Sequence, residues 1–97
     1  MKQYLTLEQS AYLVELGYDL PKSVSKLYYD DEGRVEDIEH SYSIGELISF
    51  LTILSIDFKD NNYIIFMRFP NALKFIINET LIDALYDACV IFKTKQY

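Results

Sequence analysis

His40 directly follows Glu39 and lies three residues beyond Asp37, and a histidine oriented by a carboxylate is the pairing from which general-base catalysis is built. An enzyme on this pattern would gather His40 and more distant carboxylates around one pocket. It would also need a nucleophile in a recognisable setting, and no serine or cysteine stands in one; a single histidine among acids is ordinarily a surface residue. Cys89 is the only cysteine and falls on the apolar side of a helical stretch, where a thiol behaves as a small apolar group. One histidine and one cysteine, far apart, make no zinc site. The three glycines, Gly17, Gly33 and Gly45, are too scattered for a phosphate loop. No catalytic residue, metal or cofactor is therefore assigned.

The acids are more concentrated. Asp30, Glu32, Gly33, Glu36 and Glu39 fall at positions 3, 5, 6, 9 and 12 of a calcium loop begun at residue 28. The first ligand position holds Tyr28, however, and the flanks are not helical, so an acidic hairpin is the simpler reading. From Asp30 to Glu46 seven acids face Arg34 alone, which accounts for the whole net charge of -6; elsewhere eight acids and eight bases cancel. Clustered Lys and Arg are absent, which argues against a nucleic-acid reader. The candidate partner-binding surface is Tyr28, Tyr29, Asp30, Asp31, Glu32, Glu36, Asp37 and Glu39, because tyrosine is favoured at protein interfaces. A narrower version has this acidic surface imitating DNA to occupy a DNA-binding protein.

These residues need a scaffold, and its spine is the last stretch. Leu81, Ile82, Leu85, Ala88, Cys89 and Phe92 recur at helical steps, so one face of a helix over 78–95 must be buried. Asn78 or Thr80 can cap it, Asn78 being preferred. Glu79, Asp83 and Asp87 repeat every fourth residue, a stripe read as solvated. Thr6-Leu7-Glu8-Gln9 is a capping box opening a helix to Leu16. Gly17 follows in the left-handed position, with Tyr18 closing back on Leu13. Lys26–Asp30 and Val35–Glu39 read as a hairpin turning at Asp31-Glu32-Gly33. Ser43-Ile44-Gly45-Glu46 is a second capping box, stapled by Tyr42 and Leu47, opening a helix expected to reach Leu54. Residues 56–59, 63–69 and 73–77 alternate or run apolar like strands, with turns at Asp60-Asn61-Asn62 and Phe69-Pro70-Asn71-Ala72. The competing reading starts a helix at Asn71.

Ninety-seven residues, half of them hydrophobic, make a single domain spanning 1–97. The order of elements predicts an α+β fold, about three helices packed on one face of a small, mainly antiparallel sheet. Tyr63, Ile65 and Met67 alternate with Ile64 and Phe66, so the central strand is apolar on both sides while helices cover one. The other side needs loops or a second copy of the chain, and a homodimer is carried on that ground. No apolar run reaches the ~20 residues of a membrane span, no secretion signal opens the chain, and no internal disulfide is available. A cytoplasmic protein is expected.

Leu5 through Gly17, and Leu81-Ile82-Asp83-Ala84-Leu85-Tyr86 in the last helix, resemble a group of small uncharacterised proteins of gut Bacteroides-type bacteria, their phages and mobile elements. Where members often carry a Trp in the last helix, this chain has Val90-Ile91-Phe92. The resemblance implies an intracellular accessory protein and transfers no functional residue. The leading expectation is a non-enzymatic protein-interaction module contacting an unknown protein partner, and the alternative is a small enzyme built around His40.

Overall fold

The computed structural model describes residues 4–95, with the backbone alone over 24–28 and 35–39. The first three residues, part of the stretch read as lacking a leader, lie outside the described ones.

Helix α1, Leu7–Glu15, begins at the Thr6 capping box: the Thr6 hydroxyl accepts from the Gln9 N–H at 3.1 Å, and the Gln9 side chain accepts from the Thr6 N–H at 3.0 Å. It ends where Gly17 takes φ +103° and the Tyr18 N–H donates to the Leu13 carbonyl at 3.2 Å. An L side chain would strain that position. Strands β1 (Val24–Tyr29) and β2 (Val35–His40) form the acidic hairpin, antiparallel with an irregular register near each end. Helix α2 runs over Ile44–Ser49 from the Ser43 capping box.

Here the structure departs from the sequence pattern. The apolar spacing predicts a helix to Leu54, but α2 stops after six residues and strand β3 occupies Thr52–Lys59. Thr52 and Ile53 are β-branched and lose rotamer freedom in a helix. In strand form the segment pairs along its length with β4, Asn62–Phe69. For Thr52 and Ile53 the gain lies in Arg68 and Met67, 16 and 14 residues away, which local periodicity does not register. Asp60 and Asn61, at φ 53° and 62°, form the two-residue turn whose twist suits a tight hairpin. Strand β5 is Ala72–Asn78, joined through Pro70-Asn71, so the competing helix from Asn71 is not formed.

Helix α3, Leu81–Thr94, is capped by Thr80, whose hydroxyl accepts from the Asp83 N–H at 3.3 Å. Asn78, the cap favoured from sequence, is instead the last residue of β5, paired with Tyr63, and its amide donates to Asp87 at 2.9 Å. The strand claims it because its side chain finds a carboxylate nearly two turns into the facing helix.

The class is α+β: among the described residues there are three helices and a three-stranded antiparallel sheet in the order β3-β4-β5, with β1-β2 a separate two-stranded sheet. The hairpin does not join the meander, so there is no single sheet. Helix α3 is the centre of the core, as its periodicity requires: it packs on β4, β5, α1 and α2. Ile82, Ala84, Leu85, Ala88 and Cys89 are buried against Ile65, Met67, Phe69 and Ile76 of the sheet, with Leu13, Tyr42 and Leu47 closing the core. Tyr18 sits at this junction. Its ring lies 4.8 Å from that of Phe50, and its hydroxyl donates to the Cys89 carbonyl at 2.7 Å.

Candidate functional site

Paired residues of an antiparallel sheet share a face. Ile65, Met67 and Ile76 point toward α3, so Ile64, Phe66, Leu73, Phe75 and Ile77 line the opposite face. Among the described residues no element covers it: Phe75 is 64% exposed, Ile77 59% and Leu73 51%. Those three side chains alone present roughly 300–400 Å² of apolar surface, as much as the largest patch on an ordinary monomer. Phe66 and Phe75 stack on this face, centroids 4.6 Å apart. By register Asp57 lies beside Ile64 and Arg68 beside Leu73, giving the apolar centre a charged rim.

The same strand carries a second feature. Phe69 and Ala72 flank a two-residue turn, so they must exchange both backbone hydrogen bonds. Every second pair then does likewise, through Met67↔Lys74, Ile65↔Ile76 and Tyr63↔Asn78. Leu73, Phe75 and Ile77 therefore direct their N–H and C=O groups away from β4, toward an edge that no other described strand pairs with. Along that edge runs a groove of about 340 Å³, walled by Ile76 and Ile77 on one side and by Tyr86, Asp87, Val90 and Ile91 of α3 on the other. The other edge of the meander, β3, is interrupted by a bulge between Ile53 and Ser55, a common guard against edge pairing.

The acidic residues chosen from sequence occupy the hairpin. Asp30 shapes its turn: Oδ1 accepts from the N–H groups of Glu32 and Arg34 at 3.0 and 2.9 Å. Arg34 returns to Asp30 at 3.3 Å and to Glu32 at 2.6 Å, so both carboxylates are engaged within the turn. Asp31 and Tyr29 are exposed. The backbones of Tyr28 and Asp37 are paired and Glu39 is paired with Lys26; the side chains of Tyr28, Glu36, Asp37 and Glu39 lie outside the described residues. Among the described residues no three His, Cys, Asp or Glu side chains gather as a metal site.

His40, exposed at the end of β2, lines an apolar groove with Leu7, Ser10, Val14, Leu20 and Pro21. Ser10, the one hydroxyl among the described residues lining that groove, is already committed: its Oγ lies 2.8 Å from Ser41 Oγ, which donates to the Leu5 carbonyl, and it accepts from the Tyr42 N–H at 3.4 Å. Cys89 is buried against Tyr18, and burial pushes its thiol up to about 12, which keeps it protonated.

Sequence spacing assigns Glu46 only to a capping box, but the carboxylate does more. It accepts from the backbone N–H of Lys22 at 2.9 Å, of Ser23 at 3.2 Å and of Ser43 at 3.4 Å, and from the Ser23 hydroxyl. Burial would raise its proton affinity, but these donors outweigh burial and hold the carboxyl below its ordinary range. Glu46 thus ties the root of the acidic hairpin to α2. The stripe on α3 is likewise less solvated than its spacing implies. Asp83 accepts from Thr80 Oγ1 at 2.6 Å and from Gln9 Nε2 at 3.3 Å, while Asp87 holds Asn78; Glu79 alone of the three is exposed.

Fold and surface together describe a small α+β domain whose described residues cover the sheet on one side and leave the other bare. No family model, no curated protein and no solved structure matches the chain. Among the described residues no helix is long and apolar enough to cross a membrane.

Proposed function

We propose that this protein is a non-enzymatic protein-interaction module of the cytoplasm, and that it docks through the open face of the meander. One observation carries the reading: Ile64, Phe66, Leu73, Phe75 and Ile77 form one apolar surface, uncovered by the rest of the described chain, with charge only at its rim. A soluble monomer gains nothing by leaving such a face in water, and interaction sites have this construction. A single buried cysteine supports a reducing compartment. The acidic hairpin expected to be the partner surface becomes secondary here, because Asp30 and Glu32 already serve the turn.

The test compares the full chain with Ile77→Lys in two assays, self-association by sedimentation and capture of defined binding proteins identified from the native host. Association of either kind that weakens at least tenfold in the variant supports the reading. A parent that is monomeric, and whose captured proteins bind the variant equally well, overturns it.

A further inference from the structure

We infer that the occupant of the β5 edge is a second copy of this chain, paired β5 to β5 about a twofold axis at Phe75, making one six-stranded sheet. This rests on the reading of the open face as an interaction surface and names its partner.

Three observations select a second copy over another protein. The first is hydrogen-bond symmetry. With the outward groups at Leu73, Phe75 and Ile77, an axis at Phe75 sets Phe75 opposite its equivalent and Leu73 opposite Ile77 in both directions. All outward donors and acceptors are then satisfied, and each exposed apolar side chain meets another. Moving the axis one position in either direction leaves outward groups unpaired, and one such shift sets Lys74 against Lys74.

The second is charge. Ala72, Lys74, Ile76 and Asn78 share the helix side of β5. In the symmetric pair, Asn78 of the second copy lies across from Ala72 and diagonal to Lys74. Asp87 of that copy is held on its Asn78 by the 2.9 Å hydrogen bond. Each Lys74 ammonium is thus brought within reach of an Asp87 carboxylate of the other copy, twice over.

The third is fit. Helix α3 lies over both β4 and β5, so an axis just outside β5 places the two α3 helices roughly 10 Å apart, the ordinary packing distance. The half-buried Tyr86, Val90 and Ile91 that wall the edge groove then meet their counterparts. One strand edge and one helix flank bury on the order of 1,200 Å² in total, the lower end for a specific dimer, so a dissociation constant in the micromolar range is expected.

The experiment is sedimentation equilibrium on the full chain from about 5 μM to about 1 mM, with amide exchange followed by NMR at both ends of that range. Support is a dimer in which the Leu73, Phe75 and Ile77 amides gain protection with concentration, while those of Lys74, Ile76 and Asn78 are protected throughout. Phe75→Lys, which sets two ammonium groups across the axis, should raise the dissociation constant more than tenfold, and Ile64→Lys, on the same face but away from the edge, by less than about threefold. Ile77→Pro is the second edge variant, since it removes an outward donor and no bond to β4; thermal melts report that each variant folds. A parent monomeric at the highest concentration overturns the second copy and leaves the open-face reading to the capture assay. A dimer that Ile64→Lys disrupts as strongly as Phe75→Lys, with no new amide protection, means stacked faces and overturns edge pairing. Loss of the dimer in Phe58→Lys but not in Phe75→Lys would move the contact to β3 and also overturn it.

Discussion

Phe75 lies nearly parallel to Phe66, its ring centroid 4.6 Å away and the planes 19° apart, on a sheet face that the rest of the described chain leaves open. Two adjacent strands have therefore placed a stacked aromatic pair where water, not core, is the neighbour. Stability and interaction should separate at these positions. Phe75→Thr, at a site already 64% exposed, is expected to change unfolding free energy by less than about 1 kcal/mol in urea titration. Phe66→Ala, on the central strand and half-buried, should cost about 2 kcal/mol or more in the same titration.

Leu85 is fully buried at the centre of α3. An aspartate there would be an unpaired charge among apolar side chains, so Leu85→Asp should lose more than about 4 kcal/mol and with it the cooperative thermal transition seen by circular dichroism. A variant that melts like the parent would remove α3 from its place at the heart of the core.

Glu46 predicts an acid limit. Its carboxyl is held below the ordinary value of 4.5 in the fold, so the unfolded chain binds that proton more readily. The contribution is fully present above about pH 4.5 and is lost as the pH falls through the folded value. Glu46→Gln should cost about 1–2 kcal/mol at pH 7, discounted for partial exposure, and less at pH 3, below the ordinary carboxylate value. Urea titrations at the two pH values check the difference.

An alkaline limit follows from the buried acids that must stay neutral. Burial pushes Cys89 from 9.0 to about 12 and Tyr42 from 10.0 to about 12, and raises Tyr18 as well. Their contribution is complete below about pH 9 and is lost progressively as the pH rises toward 12, because the unfolded chain ionises first. The midpoint of thermal unfolding should fall steadily above pH 9. At pH 8 a thiol reagent should modify Cys89 at the rate of unfolding, far slower than it modifies the denatured chain.

Much of this molecule is local and was legible as such. Thr6 and Gln9, Ser43 and Glu46, and Gly17 with Tyr18 each signal a helix end through bonds spanning a few residues, and the structure contains all of them. The burial of Leu85 and Cys89 followed from period alone. The length of α2 did not. Leu51 and Leu54 continue a helical spacing, but the ladder from Thr52 to Lys59 depends on Asn62–Phe69, and no short window weighs that gain. The place of Asn78 in β5 is set in the same way, since its amide answers a carboxylate nine residues on.

What the residues determined by themselves, then, was the order of helical and extended segments, where α1 and α2 begin, and that the central strand would be apolar on both sides. Tertiary structure decided which strand became the bare edge, that the hairpin stands apart from the meander, and that Glu46 anchors its root. The division has one physical cause. Caps and periodicity are energies between neighbours along the chain, whereas sheet order and exposed edges are set by which distant segments exclude water from one another.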